Sequence, residues 1–255
     1  MSSADTAPTS FASPEDAYRA FFRTFNAKDA DAWAGVMSYP HVRVSARGTA
    51  RHYETPEEYA SGASWERFEA AGWVRTQGIE PMRLHESDDK VHLAGGWTRY
   101  NAAGEPIVSN LVTYILTRLD GSWGIQARFG VDSFTKGENT EESAAAAVDV
   151  VQQHLGALDA RDFESCARLG SYPVTQVGVG KVDQFEDEAA DARSLGATPR
   201  GRASQRDVGA AQSGVNGVNV ALAEVLESGR AVRAIFILAQ REGLLANRPP
   251  LDHRR

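Results

Sequence analysis

The sequence predicts an α+β fold built twice in tandem. Three observations carry this: a segment that recurs at constant spacing, helix signals that precede strand signals, and a globular composition of sufficient length. Residues 27–44 read AKDADAWAGVMSYPHVRV and residues 160–177 read ARDFESCARLGSYPVTQV, so Ala27, Asp29, Ala34, Ser38, Tyr39, Pro40 and Val44 recur 133 positions on. Self-similarity at a fixed period marks repeated structural units. Upstream, Tyr18, Phe22 and Phe25 are answered by Val151, Leu155 and Leu158. Near the end of each copy, Tyr114-Ile115-Leu116-Thr117 before Asp120-Gly121 is answered by Phe236-Ile237-Leu238-Ala239 before Glu242-Gly243. The 255 residues, 42% apolar and 24% charged, suffice for two units of about 125 residues each. The reading is a tandem duplication. A disordered tail over 1–12 precedes a unit over 13–135 that carries the ligand pocket. A degenerate, structural unit over 142–250 follows, the boundary lying in the polar stretch from Thr135 to Glu142.

Each element has a local reason. Ser13-Pro14-Glu15-Asp16 starts a helix, with Ser13 as cap, proline at the first position and acids in the first turn. Ala17, Phe21, Phe22 and Phe25 then follow helical spacing. A short second helix is expected from Ala30 to Met37, broken at Tyr39-Pro40, and His41 to Ala46 alternates like a strand. Thr55-Pro56-Glu57-Glu58 opens a third helix running to Ala71. Alternating runs over Lys90–Tyr100, Pro106–Leu119 and Trp123–Asp132 read as long strands. They are joined by Asn101 to Gly104 and by Asp120-Gly121, a hairpin signal. Helices first and antiparallel strands after them place the helices on one face of a curved sheet.

Ser38-Tyr39-Pro40-His41-Val42-Arg43-Val44, the Thr55-Pro56-Glu57-Glu58-Tyr59 helix start and the hairpin from Leu119 to Arg128 resemble the NTF2-like superfamily, which includes SnoaL-like and ketosteroid-isomerase-like proteins. The resemblance covers residues 14–132 well and 142–250 weakly. It implies two cone-shaped α+β barrels in one chain, paired across their sheets as a pseudo-dimer, either monomeric or forming a homodimer. It also implies cofactor-free lyase, isomerase or cyclase chemistry on an aromatic or polycyclic hydrophobic small molecule. A non-catalytic small-molecule-binding or scaffolding protein is the alternative. The Tyr-Asp-Asp set of ketosteroid isomerase and the Asp-His-His pattern of scytalone dehydratase have no match, so no residue role carries over.

Composition narrows the partners. The net charge of −7, from 34 acids and 27 bases, disfavours nucleic-acid binding. No apolar run approaches the roughly 20 residues of a membrane helix, and no export signal is visible, so a cytoplasmic protein without a membrane partner is expected. Cys166 is the single cysteine; it sits at an apolar helical position and reads as core. No metal-ligand spacing, phosphate-cradling glycine loop or nucleophile elbow is present, so neither metal nor cofactor is expected. Gly95-Gly96 is a lone glycine pair, and Asp183 to Asp191 reads as a solvated helix face.

The two copies differ in furnishing. All five tryptophans and six of the seven tyrosines lie in the first. At matched positions Trp33 becomes Cys166, His41 becomes Val174 and Arg43 becomes Gln176. Aromatics supply contact surface and a few polar groups supply orientation. The candidate catalytic residues are His41 as proton shuttle, with Arg43 and Arg128 as anion clamps. Tyr18, Phe22, Trp33, Tyr39, Trp97, Asn110 and Tyr114 are the candidate substrate contacts. Strand parity leaves two arrangements open for His41 and Arg43: facing a pocket, or facing solvent with Val42 and Val44 in the core.

Overall fold

The computed structural model describes residues 10–45, 50–131, 140–198, 200–215 and 217–239. Helix α1 (Pro14–Ala27) starts as its sequence requires: Ser13 Oγ accepts the Asp16 amide, satisfying one of the free N–H groups at a helix start. Asp29 does the same for α2 (Ala30–Ala34) by accepting the Ala32 amide. The chain then enters β1 (Met37–Val44) instead of remaining helical to Met37. Gly35 ends the helix. Pro40 lies inside the strand where pairing shifts register between Met37 and Val42, the place a residue without an N–H is tolerated.

The helix expected from Thr55 to Ala71 is two helices, α3 (Pro56–Ser61) and α4 (Glu66–Ala70), parted after Gly62 closes the first. Three short strands, β2 (Ala50–Tyr53), β3 (Arg75–Gly78) and β4 (Met82–Glu86), carry no sequence signal of their own. Strands β5 (Lys90–Tyr100) and β6 (Pro106–Leu119) have the predicted bounds, and β7 (Ser122–Gly130) completes the sheet; Asp132 lies outside the described residues. The strand order is β2-β1-β7-β6-β5-β3, with β4 also on β5 and only β1–β7 parallel.

Helices α1 and α2 pack Phe21, Phe25 and Trp33 onto one face of this sheet, against Leu93, Tyr114, Leu116 and Ile125. Two glycines permit close approach. A Cβ on Gly78 would come 2.6 Å from the Phe22 ring, and one on Gly95 would come 2.7 Å from Tyr18 Oη. The strict alternation read over Trp123–Asp132 is interrupted. Ile115 pairs with Ala127 but Leu116 with Ile125, so Gln126 is an extra residue, a β-bulge. In consequence Ile125 joins the helix-side core, while Ala127 and Phe129 join the core on the opposite face.

The second half begins with α5 (Glu141–Asp159), α6 (Phe163–Arg168), the hairpin β8 (Val174–Gly178) and β9 (Lys181–Phe185), and α7 (Glu188–Ala197). It ends in β10 (Ala203–Ser213), β11 (Gly217–Leu226) and β12 (Ala231–Ala239). Local details recur at the repeat spacing. Lys28 and Arg161 both have left-handed backbone, at φ 58° and 60°. Asp162 caps α6 through the Ser165 amide as Asp29 caps α2. Tyr172 Oη donates to the Ala167 carbonyl at 2.7 Å, as Tyr39 Oη does to Ala34 at 2.9 Å.

The sheets differ. In the second half β8–β9 stands apart from β10–β11–β12, and no described strand joins them as β7 joins β1. The Glu242-Gly243 end of the repeat and the boundary residue Thr135 lie outside the described residues. Two further expectations need correction. Phe11 is no part of a loose tail: it is 5% exposed, its N–H donates to Ser122 Oγ and its carbonyl accepts the Trp123 N–H. Asp191 is not solvated: it is 5% exposed and accepts the Tyr172 hydroxyl at 3.0 Å, because α7 turns that side of itself toward α6.

The halves meet across the face of the first sheet that the helices leave free. Val42, Val44, Ile115, Ala127 and Phe129 pack with Val177, Val182, Ile235 and Ile237. Within this contact the buried Asn219 amide donates to Thr113 Oγ1 at 2.9 Å and to the Phe129 carbonyl at 3.1 Å. Thr113 donates to Gln212 Oε1, and Gln212 Nε2 donates to the Gly95 carbonyl, both at 2.8 Å.

Candidate ligand-binding cleft

Because Val42 and Val44 face the second half, Arg43 between them faces the helices. Parallel pairing sets Arg43 beside Arg128, and Tyr114 lies opposite Arg128 on the next strand. Across the sheet, Trp97 and Arg99 occupy the same face of β5. The break between α3 and α4 opens a cleft of about 70 Å³ over these residues. Its sheet wall includes Arg43, Thr76, Trp97, Arg99 and Arg128, and its helix wall includes Phe22, Phe25, Trp33, Ala63, Arg67 and Phe68.

Arginines and rings interleave here. The Arg99 guanidinium lies 3.8 Å from the Phe68 ring centroid and 4.4 Å from that of Trp97, and Arg67 lies 4.5 Å from Phe68. Arg128 lies 5.0 Å from Phe21 and donates to Tyr59 Oη at 2.9 Å. Such stacking holds a cation by the ring quadrupole without neutralising it. The neighbouring Arg128 charge, and then burial, push Arg43 down to about 10. Burial, and then Arg67, Arg43 and Arg128, push Arg99 down to about 10. Both remain cations at neutral pH.

Of the residues singled out from sequence, Arg43, Arg128, Phe22, Trp33 and Trp97 line the cleft; the others do not. His41 is fully buried under Tyr59. Its Nδ1 lies 2.8 Å from the Ile125 carbonyl, which can only accept, so Nδ1 carries the proton. Burial, then the Arg128 charge, push it down to about 3, so it is neutral at pH 7. Tyr18 spends its hydroxyl on the backbone, donating to the Ile79 and Gly96 carbonyls. Tyr39 donates to Ala34. Tyr114 is fully buried, and burial raises its phenol well above the ordinary value. Asn110 sits along β6 beside Trp97 without reaching the cleft.

Sequence reasoning missed Arg67, Arg99 and Phe68. Arg99 had a usable signal, because it shares strand parity with Trp97; Arg67 had none, since the helix break that aims it is a tertiary feature. Elsewhere, His92 is buried with Nδ1 3.1 Å from His85 Nδ1, and His52 Nε2 lies 3.3 Å from Thr175 Oγ1. Among the described residues no group of three or more His, Cys, Asp or Glu could hold a metal, and no helix is long and apolar enough to cross a membrane.

No protein-family model matches the chain, and no curated protein does. Solved structures do. An NTF-2 like protein of Shewanella oneidensis is similar at 14% identity and TM-score 0.38, covering 46% of this chain and 95% of its own. Aln2 from a Streptomyces species is similar at 21% identity and TM-score 0.38, covering 48% and 93%. A ketosteroid isomerase-like protein of Erwinia carotovora atroseptica is similar at 17% identity and TM-score 0.33, covering 46% and 92%. Each match spans about half of this chain and most of the neighbour's own length.

Proposed function

We propose that residues 13–131 form a small-molecule-binding unit of NTF2-like fold, and that the second half braces the back of its sheet. The observation that carries this reading is the lining of the cleft. Aromatic rings form much of its wall, its polar side chains are arginines, Ser64 and Thr76, and neither a carboxylate nor an imidazole lines it. A general acid or base needs a pKa near the working pH and contact with the reacting atom. His41 meets neither condition, which favours ligand binding over proton-transfer chemistry of the lyase or isomerase kind. The cleft volume favours a compact occupant over a polycyclic one, since sites for drug-sized molecules span roughly 300–1,000 Å³. The recurring caps and hydroxyl bonds at the 133-residue spacing support duplication of one ancestral unit, with the halves packed as an internal pair.

Ala63 lines the cleft and is half-buried, so Ala63→Phe should fill it while leaving the core intact. Tryptophan fluorescence, reporting through Trp33 and Trp97, should respond to a ligand in the parent protein and lose that response in the variant. An equal response in both proteins would place the ligand elsewhere.

A further inference from the structure

The chain as a whole is acidic, at net charge −7, yet Arg43, Arg67, Arg99 and Arg128 converge on one cleft. Among the described residues none of the four has a carboxylate within ion-pair distance. Some arginines elsewhere in the chain are paired. Glu224 receives both Arg200 and Arg206, Asp159 receives Arg206, and Glu15 and Glu86 receive Arg83. The cleft thus gathers four arginines with no carboxylate in its lining.

The hydrogen-bond inventory points the same way. Trp33 Nε1, Arg99 Nε and Arg128 Nε are buried without a partner, and all three belong to cleft-lining residues. All three are donors; Trp65 Nε1 and Gln126 Nε2 are further unpartnered buried donors outside the cleft lining. Tyr59 Oη is the one oxygen that accepts from this guanidinium set among the described residues. A site whose polar lining is four arginines, indole N–H groups and two hydroxyls, with no carboxylate, is complementary to an anion with several acceptor oxygens. Guanidinium groups match a planar carboxylate through paired N–H···O bonds, and the interleaved rings match a short apolar body. A cleft of about 70 Å³ has room for a carboxylate head on a short body and is well below the roughly 300–1,000 Å³ of sites for drug-sized molecules.

Resting on the binding reading above, we infer that the occupant is a small organic carboxylate, held by Arg99 and Arg128 with Arg43 and Arg67 completing the positive field. The test uses the full chain and matched pairs: acetate, propionate, malonate and benzoate, with acetamide, propionamide, malonamide and benzamide, plus inorganic phosphate at equal ionic strength. Binding is read by calorimetry and thermal shift. The expected result is saturable binding of a carboxylate with its amide at least about tenfold weaker. A further loss of at least about tenfold is expected in Arg128→Gln and Arg99→Gln. Arg67→Gln, at an exposed position, should weaken binding less and keep the fold; far-ultraviolet circular dichroism checks folding in all variants. Equal binding of acid and amide overturns the anion inference and leaves the cleft reading standing. Phosphate binding as tight as the best carboxylate overturns the carboxylate assignment. No response to any compound, in calorimetry or in tryptophan fluorescence, overturns the inference and the binding reading together.

Discussion

His41 is held neutral by its surroundings, and this has a stability consequence. A histidine whose folded pKa lies below its unfolded value takes up its proton more readily in the unfolded chain. Between about pH 6.5 and about 3 the unfolded state therefore binds more protons, and stability falls as pH falls through that window. His41 and His92 are both buried and both pushed down to about 3, chiefly by burial. Each should cost about 2 kcal/mol between pH 6.5 and pH 5. Urea unfolding at the two pH values checks this. His41→Gln should be less acid-sensitive than the parent by about 2 kcal/mol over that interval, and a variant as acid-sensitive as the parent would refute the assignment.

Within the elements, α1 depends on the small residues beneath it. Gly95 lies under Tyr18, and a Cβ there would meet the hydroxyl that bonds the Ile79 and Gly96 carbonyls. Gly95→Val should cost about 1–3 kcal/mol by overpacking, read as a lowered melting temperature. An unchanged melting temperature would show that α1 yields freely. The helices were legible in sequence because caps are local: Ser13, Asp29 and Thr55 each act on an amide three residues on. The long strands were legible because their strand-forming runs extend over nine or more residues between clear turn signals. β2, β3 and β4 are too short to show a period, and nothing in Gln126 marks it as a bulge. The cleft was half legible for the same reason. Arg43, Arg128 and Trp33 sit on elements the sequence announces, whereas Arg67 and Phe68 are brought in by the interruption after Gly62, which depends on packing.

At the scale of the whole molecule, the two halves are joined by an apolar sheet face, by a buried polar cluster around Asn219 and by further hydrogen bonds such as Gly180 N–H to Gln126 Oε1. Asn219 is fully buried and serves both Thr113 and the Phe129 carbonyl. Asn219→Ala would leave those acceptors without their donor, at a cost of about 1–3 kcal/mol. Chemical denaturation followed by circular dichroism should show that loss across both halves in one transition. Two separated transitions in the parent protein would mean that the halves fold independently. Since the free face of the first sheet is already covered, sedimentation should give a mass near 27.6 kDa. A larger species would mean that some other surface associates.

The break between α3 and α4 bears on how the hollow can change size. One rim of the chamber rests on a strap of short helical turns between residues 56 and 70, while the other rests on the seven-stranded sheet. Adding or removing a residue in that strap alters the chamber's dimensions without disturbing a single rung of the sheet. A protein built this way can be refitted to a different guest at little risk to its scaffold.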